Sequence, residues 1–342
     1  MKAVDKKTLA LLIALTIALA EAFAVLYIVL VQYGDLQARC RDLQERVSQL
    51  EVNAAAEVFA AASPFVATVK ALRADGSTSQ GTGFLIDANG TVVTSYHVVA
   101  NASSIVILYR DKTTSNATLV GGDVYTDIAV VRAERFPGGF LRFGCSAAVG
   151  EPVYAVGSPY GLGGSLSVGV VSGVERLIQL ADLGFPYPQA AYAVADVIQF
   201  DANVAPGSSG SPILNRKCEV VGVVFAMKEP GIAFATSTHI AKRVVEGILK
   251  SGRYDHPWLG VGYQPDYVGG MKILYVFPGS PAERTGLREG DVIVAVDGQA
   301  VRDACDFITF IEKYRSPGEI VTLTVQRGGL QHQMQLQLAA RP

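Results

Sequence analysis

Cysteine, histidine and tryptophan are scarce in this chain. Its 342 residues include four cysteines, four histidines and a single tryptophan. The cysteines are Cys40, Cys145, Cys218 and Cys305, and no two have the short spacing of a metal-binding pair. A disulfide between Cys145 and Cys218 and four separate thiols both stay open, because sequence alone cannot set a pairing.

Charge is also low. Charged residues make up 18% of the chain and the formal net charge is −2, while 50% of the residues are hydrophobic. These values exclude a disordered chain and a basic nucleic-acid binder. The sequence contains neither a glycine-rich phosphate loop nor a cluster of histidine and cysteine ligands. We therefore expect no nucleic-acid partner, no metal and no cofactor.

Glycine is abundant, and short apolar runs are frequent. The 35 glycines punctuate a series of runs between about residues 65 and 234. Examples are FVATVKAL, SIVILYR, DIAVVR and EVVGVVFAM. Many short strands separated by turns predict a β-sandwich or a pair of barrels, rather than alternating strands and helices.

The N-terminal region contains one long apolar run. Residues 8–33 carry a single charge, Glu21, and are long enough to cross a bilayer. A cleaved signal peptide is the alternative, because lysines precede the run and Ala18-Leu19-Ala20 resembles a cleavage site. The apolar run continues well beyond that tripeptide, so we predict a retained transmembrane helix in contact with lipid.

A second helical pattern follows the apolar run. Apolar side chains alternate spacings of four and three residues at Leu36, Cys40, Leu43, Val47, Leu50 and Ala54. This heptad seam predicts a short stalk helix, and self-association through it is plausible.

Three separate features resemble parts of a serine-nucleophile site, which needs an imidazole base and a carboxylate that orients the base. His97 ends the apolar run in VVTSYHVVA, and Asp127 leads the run DIAVV. Three serines, Ser208, Ser209 and Ser211, lie in PGSSGSP. Each feature alone also has a purely structural explanation. His97 could be a structural histidine, Asp127 a turn residue and the serine segment a surface turn.

Taken together and in this order, TSYHVV, DIAVV and PGSSGSP resemble the His, Asp and Ser motifs of the HtrA/Deg family of trypsin-like serine proteases. The resemblance covers about residues 60–342 and includes GTGFLIDANGTVVTSYHVV. The family motif Gly-Asn-Ser-Gly-Gly-Pro selects Ser209 as the nucleophile. Ser208 and Ser211 depart from that motif, and Ser95 stands where the family usually has Asn.

The resemblance implies a role for each of these residues. His97 is the general base and acid, Asp127 orients it, and Ser209 attacks the peptide carbonyl. The glycine before the nucleophile lets backbone amides converge on an oxyanion hole, which we expect at Gly207, Ser208 and Ser209. The specificity pocket is expected at Val224, Phe225 and Ala226, whose apolar side chains favour cleavage after small or medium aliphatic residues.

The C-terminal part resembles a PDZ domain in the segments WLGV and SPAERTGLREGDVIVAVDGQAV. The resemblance implies that an apolar C-terminal peptide binds at Trp258, Leu259, Gly260 and Val261. A helix is predicted at Thr238–Ser251, where the barrels end, and another at Asp303–Tyr314, beside the peptide groove.

The expected fold class is mainly β, with a trypsin-like double β-barrel and a PDZ domain after a transmembrane helix and a stalk helix. The expected boundaries are 1–34 for the anchor, 35–58 for the stalk, 59–253 for the protease domain and 254–342 for the PDZ domain. The resemblance implies a homotrimeric protease that degrades unfolded or damaged proteins on the extracytoplasmic side of the cell membrane. A chaperone that does not cut its clients and an esterase with the same triad are the alternatives.

Overall fold

The computed structural model describes residues 6–185 and 193–342, with the backbone alone for residue 6 and residues 48–53. Its two compact units are Met1–Ala56 and Glu57–Pro342. The first unit is helical, and the second contains the β-structure.

A single helix contains both the predicted anchor and the predicted stalk. Helix α1 runs over Lys6–Ala62. Its segment Lys7–Val47 is long and apolar enough to cross a membrane. The heptad residues Leu36, Leu43 and Val47 are each more than half exposed. The described residues of the first unit therefore do not bury this apolar face. Leu50 of the predicted seam lies outside the described side chains.

Six strands form a first closed barrel, in the order β1-β2-β3-β6-β5-β4. Their bounds are β1 Val66–Arg73, β2 Thr78–Leu85, β3 Thr91–Ser95, β4 Ala102–Leu108, β5 Thr114–Asp123 and β6 Ile128–Ala133. A helical turn, α2, covers Tyr96–Val99 between β3 and β4. Val69, Leu85, Val92, Ile107 and Val131 are fully buried in its core, as the apolar runs of the sequence require.

A second closed barrel follows, in the order β10-β11-β12-β9-β8-β7. Its strands are β7 Pro152–Gly157, β8 Ser165–Gln179, β9 Ala193–Phe200, β10 Pro212–Leu214, β11 Val220–Glu229 and β12 Ile232–Ser237. Helix α3, Thr238–Ser251, follows directly and ends at Gly252, as predicted. The Ser237 hydroxyl accepts the Ile240 N–H at the start of this helix, which supplies one of the unpaired amides of its first turn with a partner.

The C-terminal part is a small β-module with two helices. Its elements are β13 Pro257–Trp258, β14 Val261–Tyr263, β15 Met271–Val276, α4 Pro281–Thr285, β16 Val292–Val296, β17 Gln299–Ala300, α5 Ala304–Tyr314, β18 Ile320–Arg327, β19 Leu330–Gln337 and β20 Ala339–Ala340. Asp303 caps α5 by accepting the Asp306 N–H at 2.8 Å. The structure therefore confirms the helix predicted beside the peptide groove, the two barrels and the β-rich module.

Buried ion pairs join this module to the barrels. His256, between α3 and β13, is 2% exposed, and its Nδ1 and Nε2 lie 2.8 Å from Glu312 Oε2 and 3.0 Å from Asp123 Oδ2. Glu312 belongs to α5, whereas Asp123 ends β5. Lys313 of α5 lies 3.1 Å from Asp196 Oδ1 of β9, and both side chains are buried. The module is thus attached by paired charges that are largely removed from water.

The four cysteines are all free thiols in the structure. Cys145 is exposed and Cys218 is half-buried. Of the two alternatives, a Cys145–Cys218 disulfide and separate thiols, the structure has separate thiols.

We expect the stability of the second unit to fall at alkaline pH. Burial alone would lower the pKa of His256, but the charges of Asp123 and Glu312 outweigh burial and raise the pKa to about 9. The pKa of His256 in the folded protein therefore exceeds its value of ~6.5 in the unfolded chain. The stabilisation from His256 is complete below the unfolded pKa and is lost as the pH rises through the folded pKa.

The measurement is the denaturant midpoint of the full-length protein from pH 6 to pH 9.5, compared with Glu312→Gln. Removal of one carboxylate reduces the upward pKa shift, so the variant should lose less stability than the wild type as the pH rises. Identical pH dependence in the two proteins would contradict this prediction.

Candidate active site

His97 and Asp127 lie where two paired strands of the first barrel meet. Strands β3 and β6 are antiparallel, with Ser95 opposite Ile128. The chain therefore leaves β3 beside the point where it enters β6. The Tyr96 N–H donates to the Asp127 carbonyl at 2.8 Å, which holds the turn that carries His97 against the turn that carries Asp127.

The Asp127 carboxylate bonds to His97 through both oxygens. Oδ2 lies 2.6 Å from His97 Nδ1, and Oδ1 accepts the His97 backbone N–H at 2.9 Å. The Asp127 side chain is 2% exposed and the His97 side chain is 36% exposed. Asp127 has a φ of 58°, in the left-handed region that aspartate tolerates better than most residues. The arrangement orients the imidazole and leaves Nε2 for another partner.

The pKa of His97 is raised above its ordinary value of 6.5. Burial alone would lower this pKa, but the charge of Asp127 and its hydrogen bond to the ring outweigh that effect. Arg73, whose guanidinium donates to the His97 carbonyl at 3.2 Å, opposes protonation by charge repulsion. The site therefore stabilises an imidazolium, the species that a general base forms during catalysis.

The loop that carries Ser209 is held against the first barrel, close to the turn that carries His97. A Cβ on Gly210, whose φ is +85°, would lie 2.1 Å from the Thr82 carbonyl and 2.8 Å from Ser95 N. We call residues 201–211, between β9 and β10, the serine loop. Only glycine permits this contact between the serine loop and the first barrel. Gly81 lies between the Val98 side chain and the Ser209 carbonyl, since a Cβ there would be 2.6 Å and 2.9 Å from them.

Within residues 6–185 and 193–342, neither the Ser209 hydroxyl nor His97 Nε2 has a hydrogen bond to the protein. Bonds between a nucleophile and its base are often long in ligand-free enzymes and tighten when substrate binds. The lack of a bond between the two groups is therefore compatible with a base and a nucleophile before substrate arrives.

Two of the three predicted oxyanion-hole amides are available. In the described part of the chain, the amides of Gly207 and Ser209 have no protein acceptor. The Ser208 N–H, in contrast, donates to the Ala205 carbonyl at 2.9 Å. The expected contribution of Ser208 is therefore corrected, because its amide closes a local turn and is no longer free for substrate. Oxyanion binding needs such free backbone donors beside the nucleophile.

The residues predicted to line the specificity pocket point in different directions. Val224 and Phe225 are both 2% exposed. Val224 packs in the core of the second barrel, and Phe225 packs with Leu180 and Phe234 in a smaller cluster. Ala226 borders that smaller cluster. The Val224 carbonyl also accepts the Gly210 N–H at 2.7 Å, so this strand supports the serine loop directly.

A cavity of about 190 Å³ lies behind the serine loop, and its described lining has no charged side chain. Asn203, Val204, Ser208 and Ser211 line one side, and residues of β7 and β8 line the other. Ser211 is 1% exposed, and its hydroxyl has no hydrogen-bond partner in the described residues. The departure from glycine at this position therefore places a hydroxyl in a confined space.

Phe185 was not predicted from the sequence. Its ring centroid lies 5.9 Å from that of His97 and 6.5 Å from that of Phe225. The sequence signal was the aromatic and proline-containing run LADLGFPYPQ, but a variable surface loop explains such a run equally well. Residues 186–189 of this run lie outside the described residues.

The four residues predicted to bind a peptide do line one groove. A cavity of about 520 Å³ is bounded by Trp258, Leu259, Gly260 and Val261. Phe307, Ile308 and Ile311 of α5 form another wall, and Tyr125 of the first barrel also contributes. A groove between a strand and an apolar helix face is suited to an extended peptide with apolar side chains.

Comparison with known proteins agrees with this arrangement. Residues 81–223 match the family model of a trypsin-like peptidase domain, and residues 272–327 match that of a PDZ domain. The chain is 34% identical over 284 residues to a probable periplasmic serine endoprotease DegP-like from Rhizobium meliloti, over 77% of this chain and 54% of that protein. It is 32% identical to Protease Do-like 1, chloroplastic, from Arabidopsis thaliana, over 77% of this chain and 64% of that protein.

The chain thus spans about half to two thirds of the length of these relatives. Among solved structures, the HtrA-type protease AlgW with tripeptide superposes with a TM-score of 0.72 at 27% identity, over 84% of this chain and 97% of that chain. A serine endoprotease from Yersinia pestis superposes with a TM-score of 0.64 at 26% identity, over 85% of this chain and 98% of that chain.

We expect Asp127→Asn to lower the pKa of His97. The substitution removes the charge that raises this pKa and leaves the burial that lowers it. The pKa can be followed by NMR of the ¹³C-histidine-labelled protein in detergent. Asp87→Asn is the matched control, since Asp87 lies in the β2–β3 turn and bonds to Thr91 rather than to His97. An unchanged His97 pKa in Asp127→Asn would contradict the assignment.

Proposed function

Because the chain belongs to the HtrA/Deg family of trypsin-like serine proteases and has a PDZ domain after its peptidase domain, we propose that it is a membrane-anchored serine endopeptidase. It cleaves unfolded or damaged proteins outside the cytoplasm and uses no ATP. The observation that carries the proposal is the Asp127–His97 pair in the first barrel, against which Thr82 holds the Ser209 carbonyl, together with the amides of Gly207 and Ser209, which have no acceptor among the described residues.

In the proposed reaction, His97 Nε2 takes the proton of the Ser209 hydroxyl as its oxygen attacks the peptide carbonyl. The Gly207 and Ser209 amides donate to the oxyanion that forms. His97 then passes the proton to the leaving amine, which gives an acyl-enzyme. Water attacks the acyl group, with His97 again as base, and the carboxylic acid product leaves.

The proposed arrangement assigns residues 1–34 to an anchor, 35–58 to a stalk, 59–253 to the protease domain and 254–342 to the PDZ domain. The apolar segment Lys7–Val47 supports the anchor. Relatives described as periplasmic support an extracytoplasmic protease domain. The exposed apolar seam of the stalk supports self-association, and we propose a homotrimer.

The PDZ domain is proposed to bind unfolded substrates or apolar C-terminal peptides. Support comes from the apolar groove between Trp258–Val261 and α5. Backbone groups of the groove strand would pair with the peptide as an added strand, and the helix would contact alternate side chains. Such a site favours chains whose apolar segments have become exposed.

Ser209→Ala should abolish both casein cleavage and fluorophosphonate labelling, because it removes the attacking oxygen. We expect turnover to fall by about 10⁴-fold or more. The full-length protein in detergent is incubated with labelled casein, and the adduct site is identified by mass spectrometry.

Ser208→Ala is the matched comparison, because it removes the hydroxyl next in sequence. That hydroxyl accepts the Ala205 N–H at 3.2 Å and is buried. Labelling should persist in this variant. Labelling that survives in Ser209→Ala, or is absent from the wild type, would contradict the proposed function.

Cleavage is expected mainly after small or medium aliphatic residues, since the strand at Val224–Ala226 and the cavity behind the serine loop present no acidic side chain. A peptide library digested by the full-length protein and sequenced by mass spectrometry tests this preference. Cleavage confined to positions after lysine or arginine would contradict it.

A further inference from the structure

The oxyanion hole depends on how the peptide groups on both sides of Gly207 are oriented. Gly207 has a φ of +98°, and glycine backbone is permissive enough to adopt other orientations. Rotation of the preceding peptide would point the Gly207 N–H elsewhere, and rotation of the following peptide would break the bond from the Ser208 N–H to the Ala205 carbonyl. Something outside the loop must therefore hold these two peptide groups in place.

The preceding peptide group is held by the turn Pro159–Gly161. The Pro206 carbonyl accepts the Tyr160 N–H at 2.8 Å. Because the carbonyl and N–H of one peptide group point in opposite directions, this bond directs the Gly207 N–H away from Tyr160. The Gly207 N–H is one of the two predicted oxyanion-hole amides that have no protein acceptor in the described residues.

The following peptide group is held by a side chain from the other barrel. The Thr82 hydroxyl, on β2, donates to the Gly207 carbonyl at 2.8 Å. The same oxygen accepts the Ser158 N–H at 2.9 Å. A hydroxyl has one proton to donate. Since an N–H only donates and a carbonyl only accepts, the direction of both bonds is determined.

Thr82 also contacts the loop on the far side of the nucleophile. Its backbone N–H donates to the Ser209 carbonyl at 2.8 Å. Its own carbonyl accepts the Thr94 hydroxyl at 2.7 Å and packs against Gly210. The residue is completely buried, so water does not compete for these bonds. One residue of the first barrel therefore holds the carbonyls of Gly207 and Ser209.

We propose that Thr82 is a positioning residue whose hydroxyl holds the Gly207 carbonyl, and thereby the loop conformation in which the Gly207 and Ser209 amides stay free for an oxyanion. The inference rests on the proposed function. Thr82 does not touch the substrate; it acts through the Gly207 carbonyl, and through Ser158 N on the turn that holds Pro206. Loss of the hydroxyl leaves the half-buried Gly207 carbonyl and the buried Ser158 N–H without this partner, which favours rotation of the peptide.

The test compares Thr82→Ala with Thr82→Ser in the full-length protein. Both substitutions remove the methyl group, and only alanine removes the hydroxyl. Turnover of labelled casein gives kcat and KM, and the rate of fluorophosphonate labelling reports on Ser209 with its oxyanion hole. We expect kcat and the labelling rate to fall about 10- to 100-fold in Thr82→Ala relative to Thr82→Ser, with KM changed by less than about threefold.

Thr91→Val is the matched structural control. Thr91 is equally buried in the same barrel, and its hydroxyl donates to Asp87 at 2.6 Å and accepts from Arg132 at 2.5 Å. It should lose thermal stability while kcat stays near the wild-type value. A general loss of packing would instead lower kcat in proportion to stability in both Thr82→Ala and Thr91→Val.

Equal kcat and labelling rates in Thr82→Ala and Thr82→Ser would overturn the role of Thr82 and leave the proposed function intact. So would a loss of kcat in Thr91→Val as large as in Thr82→Ala. Absence of Ser209-dependent turnover in the wild type would overturn the proposed function, and the role of Thr82 with it. The two failures are therefore distinguishable.

Discussion

The site depends on the close approach of the serine loop to the first barrel. Gly210 lies so near the Thr82 carbonyl and Ser95 that no side chain fits between them. Hydrogen bonds from Thr82 to Ser209 and Gly207 cross the same interface. The proposed base, His97, belongs to the first barrel, whereas the proposed nucleophile, Ser209, belongs to the second. Their alignment is therefore a property of the barrel interface, and the loop alone does not establish it.

The PDZ module is attached to the barrels through groups that are costly to bury unpaired. His256 lies between Asp123 and Glu312, and Lys313 pairs with Asp196. A buried charge without its partner destabilises the fold strongly, so these contacts oppose separation of the module once it is docked. Asp123 also accepts the Thr126 N–H at 3.0 Å, next to Asp127. The docking surface and the turn that orients the catalytic histidine thus share one short segment.

The sequence predicted those elements whose defining pattern spans only a few consecutive residues. The helix at Thr238–Ser251 has an apolar face and a terminal glycine, and the helix beside the peptide groove has Asp303 as its cap. His97 and Asp127 could be proposed from the sequence because each lies at the end of an apolar strand, and Ser209 because it lies in a specific motif. The residues expected at the peptide groove, Trp258–Val261, do line it.

Other features depended on contacts between distant segments. The Ser208 amide was expected in the oxyanion hole, but it bonds to Ala205, because peptide orientation in a loop depends on its surroundings. Residues adjacent on a strand face opposite sides, so Val224 and Phe225 could not both line one pocket by their side chains. Phe185 had only the ambiguous signal of an aromatic run and His256 had none, since their partners lie far away in sequence.

By itself, the sequence determined the residue types, their order and the apolar periodicity, and from these come the two-barrel fold, the apolar N-terminal helix and the identity of the chemical groups. Tertiary structure alone decided which amides stay free, which hydroxyl holds Gly207 and which histidine is buried between carboxylates. The physical reason is the range of the interactions. Strand and helix signals act over a few residues, whereas hydrogen bonds such as Thr82 to Gly207 join groups 125 positions apart.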